Sequence, residues 1–441
     1  MRRLLLFFVL LLFFVSTVRA GSMFPYAYQE HTLDNGLKVI LIPIKNQGLV
    51  SFFTIVHTGS RDEIEPGKSG FAHFFEHMMF RGTEKYPSAL YDEITAEMGA
   101  ERNAYTTDDY TFYYIHFPDR YLEKVIDLES NRFQNLKYAL PEFQTEAKAV
   151  LGEYNKNFAN PFFQIEEKLY DNAFSKSSYK HTTMGFLKDI QDMPNQYDYS
   201  LSFFNRFYRP NNCTILVTGN FNPETTLSLI KKYYTAWKPN DYKTVNAEEP
   251  EQTEPKSGHV DYTGDTLPLL VIGYKSPAFD PANRDFAALG VLTDLAFGET
   301  SPLYQKLVLE EQKVDMVTAD FTPHRDPNLF IIYARLKKQE DLKSVEDAIL
   351  ATLEDIKKNP VEAQKLADLK SNFKYSFLMG LDTSKNVGFR LGRFVELTRN
   401  IQGVDQMIES YQAVTAEDVQ KAAQKYFMTE KKTTVTLTGG K

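Results

Sequence analysis

The most constraining feature of this 441-residue sequence is a short segment that recurs half a chain later. Thr214-Ile-Leu-Val-Thr-Gly219 matches Thr434-Val-Thr-Leu-Thr-Gly439 at an offset of 220 residues, and a helix-like stretch precedes each copy. The β-prone run Phe52–Thr58 has a similar counterpart at Leu269–Tyr274. Segments that repeat in the same order at half the chain length indicate a duplication. The sequence therefore predicts two domains of similar plan.

The boundary between the two halves is predicted at residues 238–258. This segment is polar, acidic and interrupted by prolines, which is typical of a linker. It would separate a first domain at 21–237 from a second at 259–441. Helical patterns late in the chain are expected to cover a sheet, and they lie at 345–357, 361–379, 389–398 and 416–426.

The N-terminus has the pattern of a secretory signal peptide. Arg2 and Arg3 precede the apolar run Leu4–Val15, and small residues lead to Ala20. We expect residues 1–20 to be removed and the chain to be exported, with the periplasm as its destination and no membrane attachment afterwards. Twelve apolar residues are too few to span a bilayer comfortably. An uncleaved anchor is the alternative.

Charge and cysteine content exclude several classes of function. The formal charge of −8 provides no basic surface for nucleic acid. Cys213 is the one cysteine, so no disulfide can form within the chain. It lies in a strand-like run, which favours a small buried residue over a nucleophile.

The stretch from Ser69 to Gly82 concentrates the chemistry of the sequence. It predicts a helix, with Ser69 as the N-terminal cap and Gly82 at the end. His73 and His77 are four residues apart and therefore point the same way, so that both could bind one Zn²⁺. Glu76 would stand beside the metal as the general base, in the order H-x-x-E-H. The alternative is a helix whose histidines are packed or solvated.

A second predicted helix at 141–155 offers the carboxylate that a catalytic zinc would still need. Glu146 and Glu153 are seven residues apart and project from the same side, beside an apolar stripe. Two histidines leave the metal one protein ligand short. We choose Glu153 as that ligand, with Glu146 as catalytic support or as a partner of the ligands. Without the histidine helix, an exposed pair of glutamates would be the better interpretation.

Four segments resemble the pitrilysin, insulysin and mitochondrial processing peptidase family of zinc metallopeptidases. The segments are His73-Phe-Phe-Glu-His-Met-Met-Phe-Arg-Gly-Thr83, Asn103-Ala-Tyr-Thr106, Glu146 with Glu153, and Phe207–Asn220. The resemblance covers nearly all of the chain after residue 20. It implies an α+β fold of two homologous domains, each an antiparallel sheet backed by helices, which together form half of a peptidase clamshell.

The resemblance also implies roles for individual residues. His73, His77 and Glu153 would bind zinc, Glu76 would be the base, and Glu146 would assist it. Asn103 and Ala104 would lie on an edge strand to which a peptide substrate adds as a further strand. The second half carries no copy of the metal motif, because its corresponding segment 286–297 contains no histidine.

One departure from the family pattern concerns the second half. Active members carry an Arg and a Tyr there that hold the substrate carbonyl, whereas this sequence has Glu311 and Asp315 at those places. Ionised acids cannot stabilise an oxyanion. The resemblance therefore implies a heterodimer in which a related subunit supplies the Arg/Tyr pair, with a homodimer as the alternative. The predicted function is an exported zinc endopeptidase acting on peptides or unfolded segments. The alternative is a catalytically silent scaffold or peptide-capturing subunit.

Overall fold

The structure is a computed structural model that describes residues 23–45, 48–245 and 247–440. The predicted signal peptide lies outside these residues. The strands are β1 (Gln29–Thr32), β2 (Lys38–Pro43), β3 (Leu49–Val56), β4 (Glu101–Thr106), β5 (Thr111–Pro118), β6 (Cys213–Gly219), β7 (Lys256–Tyr262), β8 (Leu269–Lys275), β9 (Val314–Asp320), β10 (Leu329–Leu336) and β11 (Lys432–Gly439).

The helices of the first half lie between its strands along the chain or follow the last of them. They are α1 (Phe71–Met78), α2 (Ser88–Glu97), α3 (Leu122–Asn135), α4 (Leu140–Phe158), α5 (Pro161–Ala173), α6 (Leu187–Asp192), α7 (Tyr197–Phe207) and α8 (Pro223–Tyr234). Those of the second half are α9 (Arg284–Phe297), α10 (Pro302–Tyr304), α11 (Leu342–Lys358), α12 (Ala363–Met379), α13 (Ser384–Thr398), α14 (Gln402–Gln412) and α15 (Ala416–Tyr426). Among the described residues, none of these helices is both long enough and apolar enough to cross a membrane.

The strands form two sheets with the same topology. The first has the order β1-β2-β6-β3-β5-β4 and the second the order β7-β11-β8-β10-β9. Apart from β1, each strand of the first sheet has a counterpart in the second, and β6 corresponds to β11 as the repeat predicts. The two homologous α+β halves are confirmed. Each sheet also contains one parallel pair, β2 with β6 and β7 with β11, because the last strand of each half returns after a long helical connection.

Each half contributes helices to the sheet of the other half. On one face of the first sheet, Phe53 and Phe112 pack against Val387 and Leu391 of α13, from the second half. Gly388 permits this approach, since a Cβ there would lie 1.9 Å from the Phe53 ring. In return, α5 of the first half covers one face of the second sheet. The late helices cover both sheets, since α13 packs on the first sheet and Val345 of α11 and Val419 of α15 belong to the core of the second. Because the first sheet is covered on both faces, every residue of β6 is buried.

The segment predicted as a linker is attached to the first half. Its described residues before Lys256 form no helix or strand, and β7 begins at Lys256, inside the predicted 238–258 range. The Glu249 carboxylate accepts hydrogen bonds from the backbone amides of Ser175, Lys176 and Ser177 at 2.8, 2.8 and 2.9 Å. These three hydrogen bonds fix the segment at Glu249, although its composition is typical of a flexible linker.

Arg325 joins the two halves through a buried charge cluster. It lies in the connection between β9 and β10, and its Nη2 donates to Asp62 Oδ2 at 2.6 Å. Its Nε lies 3.4 Å from Asp109 Oδ1 and 3.2 Å from Glu396 Oε1. Asp62 and Asp109 belong to the first half, and Glu396 belongs to α13. One guanidinium thus contacts three buried carboxyl groups, and it shares their compensation with His324, 3.0 Å from Asp109, and Arg61, 3.3 Å from Asp62.

Lys275, at the end of β8, is a partly buried residue whose Nζ is buried and poorly compensated. Its Nζ lies 3.4 Å from the centroid of the Phe174 ring and 3.8 Å from Glu249 Oε1. It makes no hydrogen bond with the described residues. Burial lowers the pKa of Lys275 to about 7. The unfolded lysine keeps its ordinary pKa, so burial of the charge costs stability fully below pH 7 and less as the pH rises towards 10.5.

We therefore expect Lys275→Met to stabilise the zinc-free protein at about pH 7, by roughly 2 kcal/mol, and to give little gain at about pH 10. Methionine keeps the apolar length of the side chain and removes the buried charge. Urea unfolding at the two pH values measures the difference. Replacement of the exposed Lys337 by Met is the matched control. A gain for Lys275→Met that is the same at both pH values would contradict this account.

Candidate metal centre

Helix α1 carries the two histidines, and its apolar face fixes its position. Phe71, Phe74, Phe75 and Met78 are fully buried in the core of the first half. The rings of Phe74 and Phe143 lie 5.1 Å apart, which joins α1 to α4. The remaining polar side chains of α1 then contact Glu153 near the end of α4 and Thr106 at the end of β4.

The predicted caps of α1 are wrong. The helix begins at Phe71, after Gly70 with a φ of +90°. The carboxylate of Glu63 accepts hydrogen bonds from the amides of Gly70 and Ala72, at 2.7 and 2.6 Å. Ser69 instead donates its hydroxyl to Asp189 at 2.7 Å. A carboxylate from an earlier turn thus satisfies the N-terminal amides and the helix dipole, and the helix ends at Met78, before Gly82.

His73, His77 and Glu153 bring three donor atoms together. The Nε2 atoms of His73 and His77 lie 3.6 and 3.3 Å from the same oxygen, Glu153 Oε2. The three atoms lie within 4.8 Å of one another. Among the described residues, this is the one group of three or more His, Cys, Asp or Glu side chains with such spacing.

This donor set fits a zinc ion. Zinc bonds to histidine nitrogen and carboxylate oxygen at about 2.0–2.2 Å, so neighbouring ligands of a tetrahedral site lie roughly 3.3–3.5 Å apart. The two nitrogen–oxygen distances are close to that value. Burial lowers the pKa of His73 to about 3, which keeps its imidazole neutral and able to ligate. The Glu153 side chain is 39% exposed, so one side of the site is open.

Glu146 contacts the ring nitrogen of His77 that does not face Glu153. Its Oε1 lies 2.9 Å from Nδ1 of His77, and its Oε2 accepts hydrogen bonds from Arg81. Burial raises the pKa of Glu146, but the hydrogen bonds from His77 and Arg81 outweigh it and hold the pKa below its usual value. Burial lowers the pKa of His77, but its hydrogen bond with Glu146 prevails and raises it. A carboxylate in this position directs Nε2 of His77 towards Glu153.

Glu76 lies beside the donor atoms and is held by the end of β4. Its Oε2 accepts a hydrogen bond from the hydroxyl of Thr106 at 2.7 Å. Burial raises the pKa of Glu76, and the hydrogen bond from Thr106 lowers it in part. The carboxyl group is therefore a better proton acceptor than an exposed glutamate.

Asn103 and Ala104 lie on β4, at the edge of the first sheet. Within the described part of the chain, β4 pairs only with β5, where Asn103 is opposite Tyr114 and Ala104 opposite Tyr113. Asn103 is exposed, whereas Ala104 is buried. Thr106 at the end of this strand contacts Glu76, so the open edge runs up to the candidate site.

Glu311 and Asp315 form ion pairs within the second half. Glu311 lies 3.0 Å from Nζ of Lys313, and Asp315 accepts a hydrogen bond from Nε of Arg335 at 2.8 Å. Neither residue belongs to the group of donor atoms around Glu153. The sequence alone indicates no role for Arg81, Thr106 or Glu63, although Arg81 and Thr106 lie inside the segments that resemble the peptidase family. No local pattern indicates their partners. Arg81 lies 65 residues from Glu146 and Thr106 lies 30 residues from Glu76. Glu63 binds amides that begin 7 residues later in the chain.

Two parts of the chain match known domains of one peptidase family. Residues 38–186 match Insulinase (Peptidase family M16), and residues 196–373 match the peptidase M16 inactive domain. The zinc protease PqqE of Helicobacter pylori is 29% identical over 435 residues, which cover 97% of this chain and 96% of that protein.

Solved structures share the fold over the same length. A protease from Helicobacter pylori superimposes with a TM-score of 0.87 and 27% identity, over 94% of this chain and 100% of that one. The periplasmic protease PqqL of Escherichia coli has a TM-score of 0.76 and 19% identity, over 93% of this chain. The match covers 47% of the PqqL chain, so PqqL is about twice as long.

Proposed function

Because the chain belongs to peptidase family M16, we propose that it is an exported zinc-dependent endopeptidase and the metal-bearing subunit of a dimer. Its substrates are peptides or unfolded polypeptide segments. The observation that carries the proposal is the convergence of His73, His77 and Glu153 beside the carboxyl group of Glu76. Relatives named zinc proteases over nearly the full length support it.

His73, His77 and Glu153 would hold the zinc ion. When bound in such a site, zinc lowers the pKa of a coordinated water to near 7 and polarises a carbonyl group. Glu76 takes a proton from the attacking water and passes it to the amine that leaves. Thr106 holds the carboxyl group of Glu76 in place for both transfers.

The open edge of β4 binds the substrate in this proposal. A peptide in extended conformation would add beside Asn103 and Ala104 through main-chain hydrogen bonds. Because these bonds do not depend on side chains, the strand accepts varied sequences. The end of β4 at Thr106 would bring the peptide to Glu76.

A second subunit is proposed because the chain provides only part of a site. The acids Glu311 and Asp315 pair with Lys313 and Arg335 and offer no stabilisation to a developing negative charge. PqqL, described as a periplasmic protease, is about twice the length of this chain. A related subunit with an Arg/Tyr pair would supply the missing half, and a homodimer is the second arrangement. Export rests on the signal-peptide pattern of residues 1–20.

The rival function is a silent scaffold or a subunit that only captures peptides. The match of residues 196–373 to an inactive domain and the acids at 311 and 315 favour it. The histidine and glutamate set argues against it, since a scaffold has no need of converging donor atoms.

Metal analysis and peptide cleavage together distinguish the two functions. The chain from residue 21 is purified, its zinc content is measured, and cleavage of internally quenched peptides is followed with the chain alone and with related subunits. We expect one zinc ion per chain, and cleavage that requires or increases with a subunit carrying the Arg/Tyr pair. A chain that binds zinc but cleaves no peptide in any combination would favour the scaffold. A chain that binds no zinc would refute the proposal.

A further inference from the structure

Arg81 ends a series of hydrogen bonds that reaches the candidate ligand His77. Its Nε donates to Glu146 Oε2 at 2.5 Å, and its Nη2 donates to the same oxygen. The other oxygen of Glu146 lies 2.9 Å from Nδ1 of His77. Arg81 follows α1 in the chain, and Glu146 lies on α4, so the series also joins the two elements that carry the donor atoms.

The position of Glu146 determines which nitrogen of His77 is free. A neutral imidazole carries its proton on one nitrogen, and only the other has a lone pair for a metal. The Glu146 carboxylate accepts a hydrogen bond from Nδ1 of His77, which therefore carries the proton. The lone pair is then on Nε2, which faces Glu153. The choice of nitrogen therefore depends on the orientation of the Glu146 carboxylate.

Arg81 fixes that orientation. The Glu146 side chain is 4% exposed, so little water can reach it to replace a lost partner. A buried carboxylate without a partner is costly and turns towards any donor that it can reach. With Arg81 on Oε2, the carboxylate is held with Oε1 towards His77. The side chain of Arg81 itself is 46% exposed, and among the described residues its guanidinium hydrogen-bonds to Glu146.

His73 receives no comparable support. Its Nδ1 is buried and makes no hydrogen bond with the described residues. Packing alone therefore orients the His73 ring, whereas His77, which is more exposed, depends on hydrogen bonds. Of the two histidines, only His77 is therefore oriented by a side-chain hydrogen bond among the described residues.

We propose that Arg81 is a positioning residue of the metal centre, which acts through Glu146 to orient His77. The inference rests on the proposed zinc site. Removal of groups that orient metal ligands lowers metal affinity by about 10–100-fold. We expect Arg81→Met to weaken zinc binding about 10-fold, and Arg81→Lys to recover part of the loss, because lysine keeps the charge but not the two-pronged contact.

Competition with a chelator of known affinity measures the zinc dissociation constant without any use of activity. The variants are Arg81→Met, Arg81→Lys, Glu146→Gln and the double variant Arg81→Met/Glu146→Gln. If Arg81 acts through Glu146, its replacement in the Glu146→Gln background changes the dissociation constant less than about twofold. Arg335→Met is the matched control, because Arg335 is similarly exposed and pairs with Asp315 away from the donor set. Visible spectra of the cobalt-substituted proteins report changes in ligand geometry, and the melting temperatures of the zinc-free proteins report folding.

The outcomes separate this inference from the function on which it rests. Equal zinc affinity of Arg81→Met and wild type, or effects of Arg81 and Glu146 that add fully, would overturn the inference while the zinc site stands. Weaker zinc binding with an unchanged melting temperature and an altered cobalt spectrum supports it. If Arg81→Met does not fold, Arg81→Lys is expected to fold and to show the same changes to a smaller degree, and its failure to do so overturns the inference. A wild-type chain that binds no zinc would overturn both proposals.

Discussion

We expect Glu76→Gln to reduce peptide cleavage by about 10²–10⁴-fold and to leave the zinc content unchanged. Glutamine has nearly the shape of glutamate and can still accept the hydrogen bond from Thr106. It cannot take a proton from water, so the loss falls on kcat rather than on metal or peptide binding. Steady-state kinetics with a quenched peptide, together with metal analysis of the same preparation, measure both quantities.

Two further variants make this test specific. Glu93→Gln changes an exposed glutamate on α2 and is the control for loss of one negative charge. Glu153→Ala removes a donor atom and is expected to lose zinc and cleavage together. Substantial cleavage by Glu76→Gln would refute the assignment of the base, whatever the result for Glu153.

The second large effect concerns stability. We expect Arg325→Met to destabilise the protein by about 3–5 kcal/mol, because removal of one partner of a buried ionic cluster leaves charges that the remaining neighbours compensate only in part. Asp62, Asp109 and Glu396 would share the pocket without their common cation. Urea unfolding of the zinc-free protein gives the difference in free energy, and Arg335→Met, which breaks an exposed pair, should cost less than about 1 kcal/mol.

The penalty for Arg325→Met should depend on pH. Burial raises the pKa of Asp109, but the hydrogen bond and charge of His324, together with the charge of Arg325, outweigh it and hold that pKa well below its usual range. A lowered folded-state pKa contributes stability above the unfolded pKa, and this is lost as the pH falls. Without Arg325 the carboxyl groups protonate more easily, so the difference between variant and wild type should shrink on acidification. A penalty independent of pH would indicate lost packing rather than lost charge compensation.

Much of the candidate site follows from local sequence because it depends on helical period. The spacing of four puts His73 and His77 on one side of α1, and the spacing of seven puts Glu146 and Glu153 on one side of α4. The repeat at an offset of 220 residues likewise predicts the correspondence of β6 with β11, which the two sheets share. Helical spacing and an internal repeat can both be read from the order of residues along the chain.

The cap of α1 shows where local reasoning ends. Ser69 has the right residue type and position for a cap, but Asp189 binds it, and Glu63 satisfies the amides of the first turn instead. Two acceptors compete for the same role, and only the path of the chain between Glu63 and Gly70 decides which one reaches the helix.

By itself, the sequence determined the duplication and the helix that carries the two histidines, and its resemblance to a known family implied the α+β class of each half. Tertiary structure alone decided that α13 and α5 cover the opposite sheets, that Arg81 binds Glu146, and that Arg325 compensates acids from both halves. The physical reason is that an apolar stripe or a charge specifies what kind of neighbour it needs, but not which one. The neighbour is chosen only when the whole chain packs, at distances along the sequence that no local pattern records.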